Sequence, residues 1–252
     1  EVEVESRIDK KYQNISMCGI SGIIGNKANL INITKMTDAL YHRGNDNISH
    51  FINEGIALGH NRLSIIDLDA SANQPYEKAG QPYTLVYNGE IYNYIELKAE
   101  LRELGHQFET SSDTEVLYEA FLEWGEDCLE RLNGMFAFAI WDKQKKRLWL
   151  ARDRYGIKPL YYWDNGRELV FASEIKAILE HPSYRAQVDL EALNEYFTFQ
   201  NVFTDKTLFK GIRMMPPGSV SEYQLAEGEV SRHQYWDFSF KERDLYASEE
   251  EY

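Results

Sequence analysis

The 252-residue chain reads as an α+β protein built of layered, mainly antiparallel sheets. Three observations predict this. Strand patterns crowd together between positions 135 and 172, with hairpin-like connections at Asp142-Lys143-Gln144-Lys145-Lys146 and Asn165-Gly166. Tight turns between neighbouring strands make antiparallel pairs. Helical patterns gather in two blocks instead of alternating with strands, which argues against a doubly wound parallel sheet.

The elements follow in order. The apolar, glycine-punctuated run from Gly19 to Gly25 reads as a buried strand. Residues 33–41 have helical spacing, with Ile33, Met36, Thr37 and Leu40 on one side. Residues 57–68 and 83–92 carry strand patterns. Residues 95–104 form an amphipathic helix that stops at Gly105. A second helix covers 114–124, with Val116, Leu117, Ala120 and Phe121 as its apolar face. Strands over 135–141, 147–152, 160–163 and 168–172 complete the set. The sequence contains no internal repeat and no low-complexity segment.

Composition narrows the function. With 43% hydrophobic and 27% charged residues, the profile is that of a soluble globular protein. A formal net charge of -14 argues against nucleic acid and anionic membrane as partners. No apolar stretch approaches the roughly 20 residues that span a bilayer, and no secretory signal is visible. Two cysteines, Cys18 and Cys128, make no disulfide framework, which suits a reducing, cytoplasmic setting. The six histidines are scattered without metal-ligand spacing, so no metal is expected.

Cys18 carries the most information. It directly follows Met17, so removal of one methionine would make it the first residue. An N-terminal cysteine joins a thiol nucleophile to an amine that serves as general base. The alternative is a small buried cysteine opening a strand. Arg62 interrupts an apolar strand, His60-Asn61-Arg62-Leu63-Ser64-Ile65-Ile66-Asp67, as a surface charge or half of a structural ion pair. Asn88-Gly89 is either a turn or, because its flanks stay β-like, an amide and a backbone N–H that supply two donors to one oxyanion. Asp113, in Ser111-Ser112-Asp113-Thr114-Glu115, is a candidate helix N-cap. Cys128 lies in a charged helical context that favours a structural role.

Both ends invite expectations. Position 1 is Glu, and residues 1–16 are polar without a strong period; residues 1–17 are expected to be a propeptide, a tag, or an extension upstream of a start at Met17. Ser248-Glu249-Glu250-Glu251 reads as a capping box opening a helix, so further chain is expected beyond Tyr252.

The ordered motifs resemble the glutamine amidotransferase domain of glutamine-hydrolysing asparagine synthetases. They are Met17-Cys18-Gly19-Ile20, His42-Arg43-Gly44, Arg62 to Asp67, Asn88-Gly89-Glu90-Ile91-Tyr92-Asn93 and Ser112-Asp113-Thr114-Glu115. Gly134-Met135-Phe136-Ala137-Phe138, then Ala151-Arg152-Asp153-Arg154-Tyr155-Gly156-Ile157-Lys158-Pro159, Ala172-Ser173-Glu174-Ile175-Lys176 and Phe209-Lys210-Gly211-Ile212 follow. The resemblance implies an N-terminal-nucleophile hydrolase with a four-layer αββα sandwich over 18–235. Residues 236–252 are then the linker and first turn of an ATP-dependent synthetase domain. That domain's Ser-Gly-Gly-x-Asp-Ser loop is absent from this sequence. Mg-ATP is expected there, and no cofactor in the present domain.

The resemblance also implies roles. Cys18 is the nucleophile, and Asn88 with the Gly89 N–H holds the oxyanion. Arg62 pairs with the α-carboxylate of L-glutamine, Glu90 and Asp113 accept from its α-ammonium, and backbone groups of Leu63, Ser64, Ile65 and Ile66 frame the pocket. Ammonia then serves the amidation of aspartate. Two alternatives stand beside this: a glutaminase feeding a sugar or cell-envelope acceptor, and a catalytically silent module if Cys18 is not freed. A homodimer is left open. The family's usual His-Arg-Gly-Pro-Asp reads His42-Arg43-Gly44-Asn45-Asp46 here, which frees the loop backbone and adds an N–H donor.

Overall fold

The computed structural model describes residues 17–63 and 72–239. In chain order the elements are β1 (Gly19–Ile24), α1 (Leu30–Ala39), β2 (Asn47–Asn53), β3 (Ile56–Arg62), β4 (Tyr76–Glu77) and β5 (Tyr83–Ile91). Then come α2 (Tyr94–Glu103), α3 (Asp113–Trp124), α4 (Cys128–Arg131), β6 (Gly134–Asp142), β7 (Arg147–Arg152), β8 (Tyr161–Asp164) and β9 (Leu169–Ala172). The last are α5 (Ile175–Leu179), α6 (Leu190–Phe199), β10 (Ile212–Met214), β11 (Ser219–Gln224) and β12 (Gly228–Gln234).

The strands form two six-stranded sheets, ordered β10-β8-β9-β1-β3-β2 and β12-β11-β7-β6-β5-β4. All pairings between named strands are antiparallel. Period-two alternation decides the layers. In β6, Ala137, Ala139 and Trp141 face the other sheet, where they meet Ile20, Ile24, Leu58 and Phe171. The intervening Phe136, Phe138 and Ile140 face Leu97 and Leu101 of α2 and Val116, Leu117 and Phe121 of α3. Across the molecule, Ile23, Ala57 and Val170 face Ile33 and Met36 of α1 and Ala177 and Ile178 of α5. Three cores separate four layers, so the αββα sandwich holds.

The glycines of β1 have a packing reason. A Cβ at Gly22 would stand 2.3 Å from the ring of Phe171, its partner on the neighbouring strand β9, so the Phe171 ring can lie across β1 only over a glycine. Burial on both faces explains why β1 reads as a continuous apolar run.

Several elements differ from expectation. The strand expected over 57–68 ends at Arg62, because Leu63 turns in against the Cys18 sulfur; residues 64–68 lie outside the described residues. The helix expected over 33–41 starts earlier, at Leu30, where the Asn29 side chain caps it by accepting from Asn32 N at 3.0 Å. Residues 47–53, for which no element was expected, form edge strand β2, whose half-exposed residues alternate too weakly to signal a strand. Asn88-Gly89 is no turn: β5 runs through it to Ile91. Asp113 is not the cap of α3; Ser112 is, its Oγ accepting from Thr114 N at 3.0 Å. Helix α6 and strands β10 to β12 had no counterpart in the sequence reading. The expected N-terminal extension, apart from Met17, and the capping box at Ser248 fall outside the described residues.

Candidate active site

The site forms where Met17-Cys18 and the start of β1 meet the C-terminal halves of β3 and β5. A cleft of about 210 Å³ is lined there by Cys18, Arg62, Leu63, Asn88, Gly89, Glu90, Asp113 and Lys158, among others. That size suits a small molecule rather than a macromolecule. Seven of the expected site residues thus come together: Cys18, Arg62, Leu63, Asn88, Gly89, Glu90 and Asp113. Ser64, Ile65 and Ile66 lie outside the described residues.

Cys18 sits just before β1, and its backbone is pinned. Its carbonyl accepts from Arg43 Nε at 3.0 Å, and Arg43 NH1 donates to Glu174 Oε1 at 2.8 Å. Ser173 ties down the next turn of chain, its Oγ accepting from Ile20 N at 3.0 Å. The thiol contacts both backbone groups of Leu63, whose N–H donates to Sγ at 3.4 Å and whose carbonyl accepts at 3.6 Å. Burial pushes the thiol pKa up; the Leu63 N–H, Arg62 and Lys158 oppose that, and Asp113 adds to it. The loop after α1 joins this anchor to β3. Asp46 N donates to the Arg62 carbonyl at 3.1 Å, and a Cβ at Gly44 would lie 2.5 Å from the Arg62 carbonyl carbon. The glycine of His42-Arg43-Gly44 is therefore required by close backbone approach.

β5 supplies the donors. Asn88 is 1% exposed, faces the other sheet in register with Val86, and lines the cleft. Its Nδ2 has no hydrogen-bond partner among the described residues. A buried amide donor left unmade costs on the order of 1–3 kcal/mol, so this one is available for an oxygen in the cleft. The Gly89 N–H joins it. Gly89 stands opposite Phe136, but Phe136 uses its N–H and carbonyl on Asp153, so the Gly89–Phe136 pair is of the non-hydrogen-bonded kind. Tyr87 N, two residues earlier, points away from β6 to Gln74 Oε1 at 2.6 Å, and Gly89 N points the same way.

Charge surrounds the donors. Arg62, 7% exposed, ends β3 in the cleft, with NH1 donating to Asn73 Oδ1 at 2.5 Å. Asp113 opens α3, and its Oδ2 accepts from Tyr87 Oη at 2.8 Å and from Ile91 N at 3.1 Å. Burial raises the Asp113 pKa; these two donors pull it down, and Glu90 pushes it up.

Lys158 was not expected at the site. It is 4% exposed, and its Nζ donates to Met17 Sδ at 3.0 Å. Asp153 builds the loop that presents it: Oδ2 accepts from Lys158 N at 3.0 Å, and Oδ1 from Tyr155 N and Ile157 N. Arg152 Nε donates to the Lys158 carbonyl at 2.8 Å. Burial, then Arg43, lowers the Lys158 pKa, while Cys18 and the nearby acids raise it. The sequence signal was the acid-and-arginine cluster of Ala151 to Lys158, which marks a tightly bonded loop. Tyr87 and Gln74 carried no local signal.

A thiol, two N–H donors, one guanidinium and two carboxylates in a small cleft can bind an α-amino acid and attack its side-chain amide. Residues 17–236 match the family described as the glutamine amidotransferase domain. The chain is 42% identical over 228 residues to a protein of Bacillus subtilis (strain 168) named glutamine-hydrolysing asparagine synthetase 3, covering 88% of this chain and 37% of that one. It is 38% identical over 232 residues to glutamine-hydrolysing asparagine synthetase 1 of the same organism, covering 89% and 36%. Its fold is similar to that of a glutamine phosphoribosylpyrophosphate amidotransferase from B. subtilis solved with ADP and GMP. There the TM-score is 0.66 at 21% identity, over 87% of this chain and 49% of that one, and the likeness speaks to fold alone. The chain thus spans a little over a third of the length of these curated relatives. On the match over 17–236, it belongs to the glutamine amidotransferase domain family.

Proposed function

We propose that this domain hydrolyses L-glutamine to glutamate and ammonia with Cys18 as nucleophile. The observation that carries the reading is a cysteine thiol sharing a small cleft with the buried amide donor of Asn88, which has no partner among the described residues. Freed of Met17 and anything before it, Cys18 carries an α-amine. That amine takes the thiol proton as sulfur attacks the side-chain amide carbon. Asn88 Nδ2 and Gly89 N–H hold the oxyanion of the tetrahedral intermediate. The C–N bond breaks, the amine returns a proton to the leaving nitrogen, and ammonia departs. Water then cleaves the Cys18 thioester to release glutamate. Arg62 takes the substrate α-carboxylate through its planar fork, while Asp113 and Glu90 accept from the α-ammonium.

In the longer protein we assign the ammonia to ATP-dependent amidation of aspartate. The names of the relatives support this acceptor, and Mg-ATP belongs to that further domain. A cytosolic location suits a chain whose two cysteines are free thiols.

The test is glutamate release by protein whose first residue is Cys18. Cys18→Ala abolishes it. Cys128→Ala leaves it intact, because Cys128 is buried in the outer core under α3, away from the cleft. Unchanged glutaminase activity in Cys18→Ala would sink the reading.

A further inference from the structure

Tyr87 lies between the two halves of the site and belongs to neither in the account above. It is 2% exposed and held at both backbone groups: N donates to Gln74 Oε1 at 2.6 Å, and its carbonyl accepts from His60 Nε2 at 3.2 Å. Its ring leans along β5 over the next residue on the same face, Gly89. A Cβ on Gly89 would come within 2.6 Å of Tyr87 Cε2, so the ring can lie there only because residue 89 has no side chain. Beyond Gly89 the ring ends in a hydroxyl that donates to Asp113 Oδ2 at 2.8 Å.

The direction of that bond matters. Tyr87 Oη and Ile91 N both converge on Oδ2, which keeps Oδ1 clear of these two donors. The Thr114 N–H also acts on the carboxylate of Asp113, which is 5% exposed and lines the cleft; with Oδ2 held by Tyr87 and Ile91, the other oxygen is the one turned to a ligand. Ile91 N is a fixed backbone group, and Tyr87 supplies the side-chain half of the clamp.

We infer that Tyr87 is a positioning residue for glutamine recognition: its hydroxyl fixes Asp113 so that the remaining carboxylate oxygen meets the substrate α-ammonium. The inference rests on the assignment of Asp113 to that ammonium. The hydroxyl acts on binding, whereas the ring beneath it lies against Gly89, on the catalytic side. Removing the hydroxyl alone therefore separates the two.

The experiment compares four proteins that begin at Cys18: the parent sequence, Tyr87→Phe, Asp113→Asn and the double variant. Glutamate release is measured against glutamine concentration, and melting temperature is recorded for each. Tyr87→Phe keeps the ring on Gly89 and loses only the bond to Asp113. KM rises about tenfold, the scale of one hydrogen bond to a charged group, while kcat stays within about twofold. Asp113→Asn raises KM further, and adding Tyr87→Phe to it changes KM by less than about twofold, because the two act as one unit. A Tyr87→Phe protein with parental KM, or one whose loss is in kcat, overturns the inference while leaving the Asp113 assignment standing if Asp113→Asn still raises KM. Full multiplication of the two effects in the double variant also overturns it. Parental KM in Asp113→Asn would remove the Asp113 assignment itself, and the inference with it.

Discussion

Arg43 is bonded to the backbone of Cys18, the proposed nucleophile: its Nε donates to the Cys18 carbonyl at 3.0 Å. The same guanidinium is tied to Glu174, which also accepts from His42 and lies 3.2 Å from Lys176. The position of Cys18 is thus set from outside the cleft, by a cluster joining the loop after α1 to the start of α5.

This cluster predicts how stability depends on pH. Burial alone would raise the Glu174 pKa, but bonds from Arg43, His42 and Lys176 hold it down at about 2. A depressed carboxylate pKa stabilises the fold above the unfolded value, and that contribution disappears as pH falls through the folded one. The window runs from about 4.5 down to about 2. Glu174 is about a quarter exposed, so solvent screening limits the contribution to no more than about 2 kcal/mol. Urea unfolding of the parent and Glu174→Gln should differ most at pH 6, and the gap should narrow steadily as pH falls from 5 toward 3. A gap that stays constant with pH would contradict the assignment.

Arg62 and Asn88 should fail in different ways. Arg62→Lys replaces a fork with a point charge, so KM for glutamine rises about tenfold with kcat largely kept. Asn88→Ala removes a donor that serves the transition state, so kcat falls by roughly 10²–10³. Steady-state glutaminase kinetics on the two variants decide it, and the reverse pattern would refute both roles.

Much of this was legible locally, and the reason is physical. Cys18, Asn88, Gly89 and Asp113 each stand where a chain feature is visible in sequence: a residue after Met, an Asn-Gly inside a β-like run, an acid at a helix start. The layered α+β class followed from short connections such as 142–147, because tight turns force antiparallel neighbours. What escaped was long-range. Tyr87 reads as one more aromatic in a strand until α3 brings Asp113 to its hydroxyl, 26 residues away in sequence. Lys158 meets Met17 across 141 residues. Strand β2 escaped because an edge strand needs to hide neither face, so NISHFIN shows no clean alternation. Helix α6 escaped for a related reason: Leu190 and Phe197 are about three-quarters exposed, so its apolar pattern does not trace one buried face.

Lys158 should tune the thiol. Its charge favours the thiolate against the larger effect of burial. Lys158→Met keeps the bulk and removes the cation, so the Cys18 pKa rises. The rate of alkylation by iodoacetamide at pH 7.5 should fall several-fold, and the pH at half-maximal rate should move upward. Cys128 is fully buried, with its thiol pKa pushed up by desolvation, and contributes little to the measured rate. A rate unchanged or increased would show that Lys158 has no electrostatic hold on Cys18.

The central claim is that the α-amine of Cys18 is the general base, and one measurement tests it directly. Two proteins are compared, one beginning at Cys18 and one retaining residues 1–17, each with its N-terminus verified by intact mass. Attachment of Met17 turns the amine into an amide, which has no basicity, and it leaves the Met17 thioether against Lys158 beside the cleft. Glutamate release should be robust in the first protein and at least about a hundredfold lower in the second, the scale of losing a positioned general base. Equal release with the extension still attached would contradict the account.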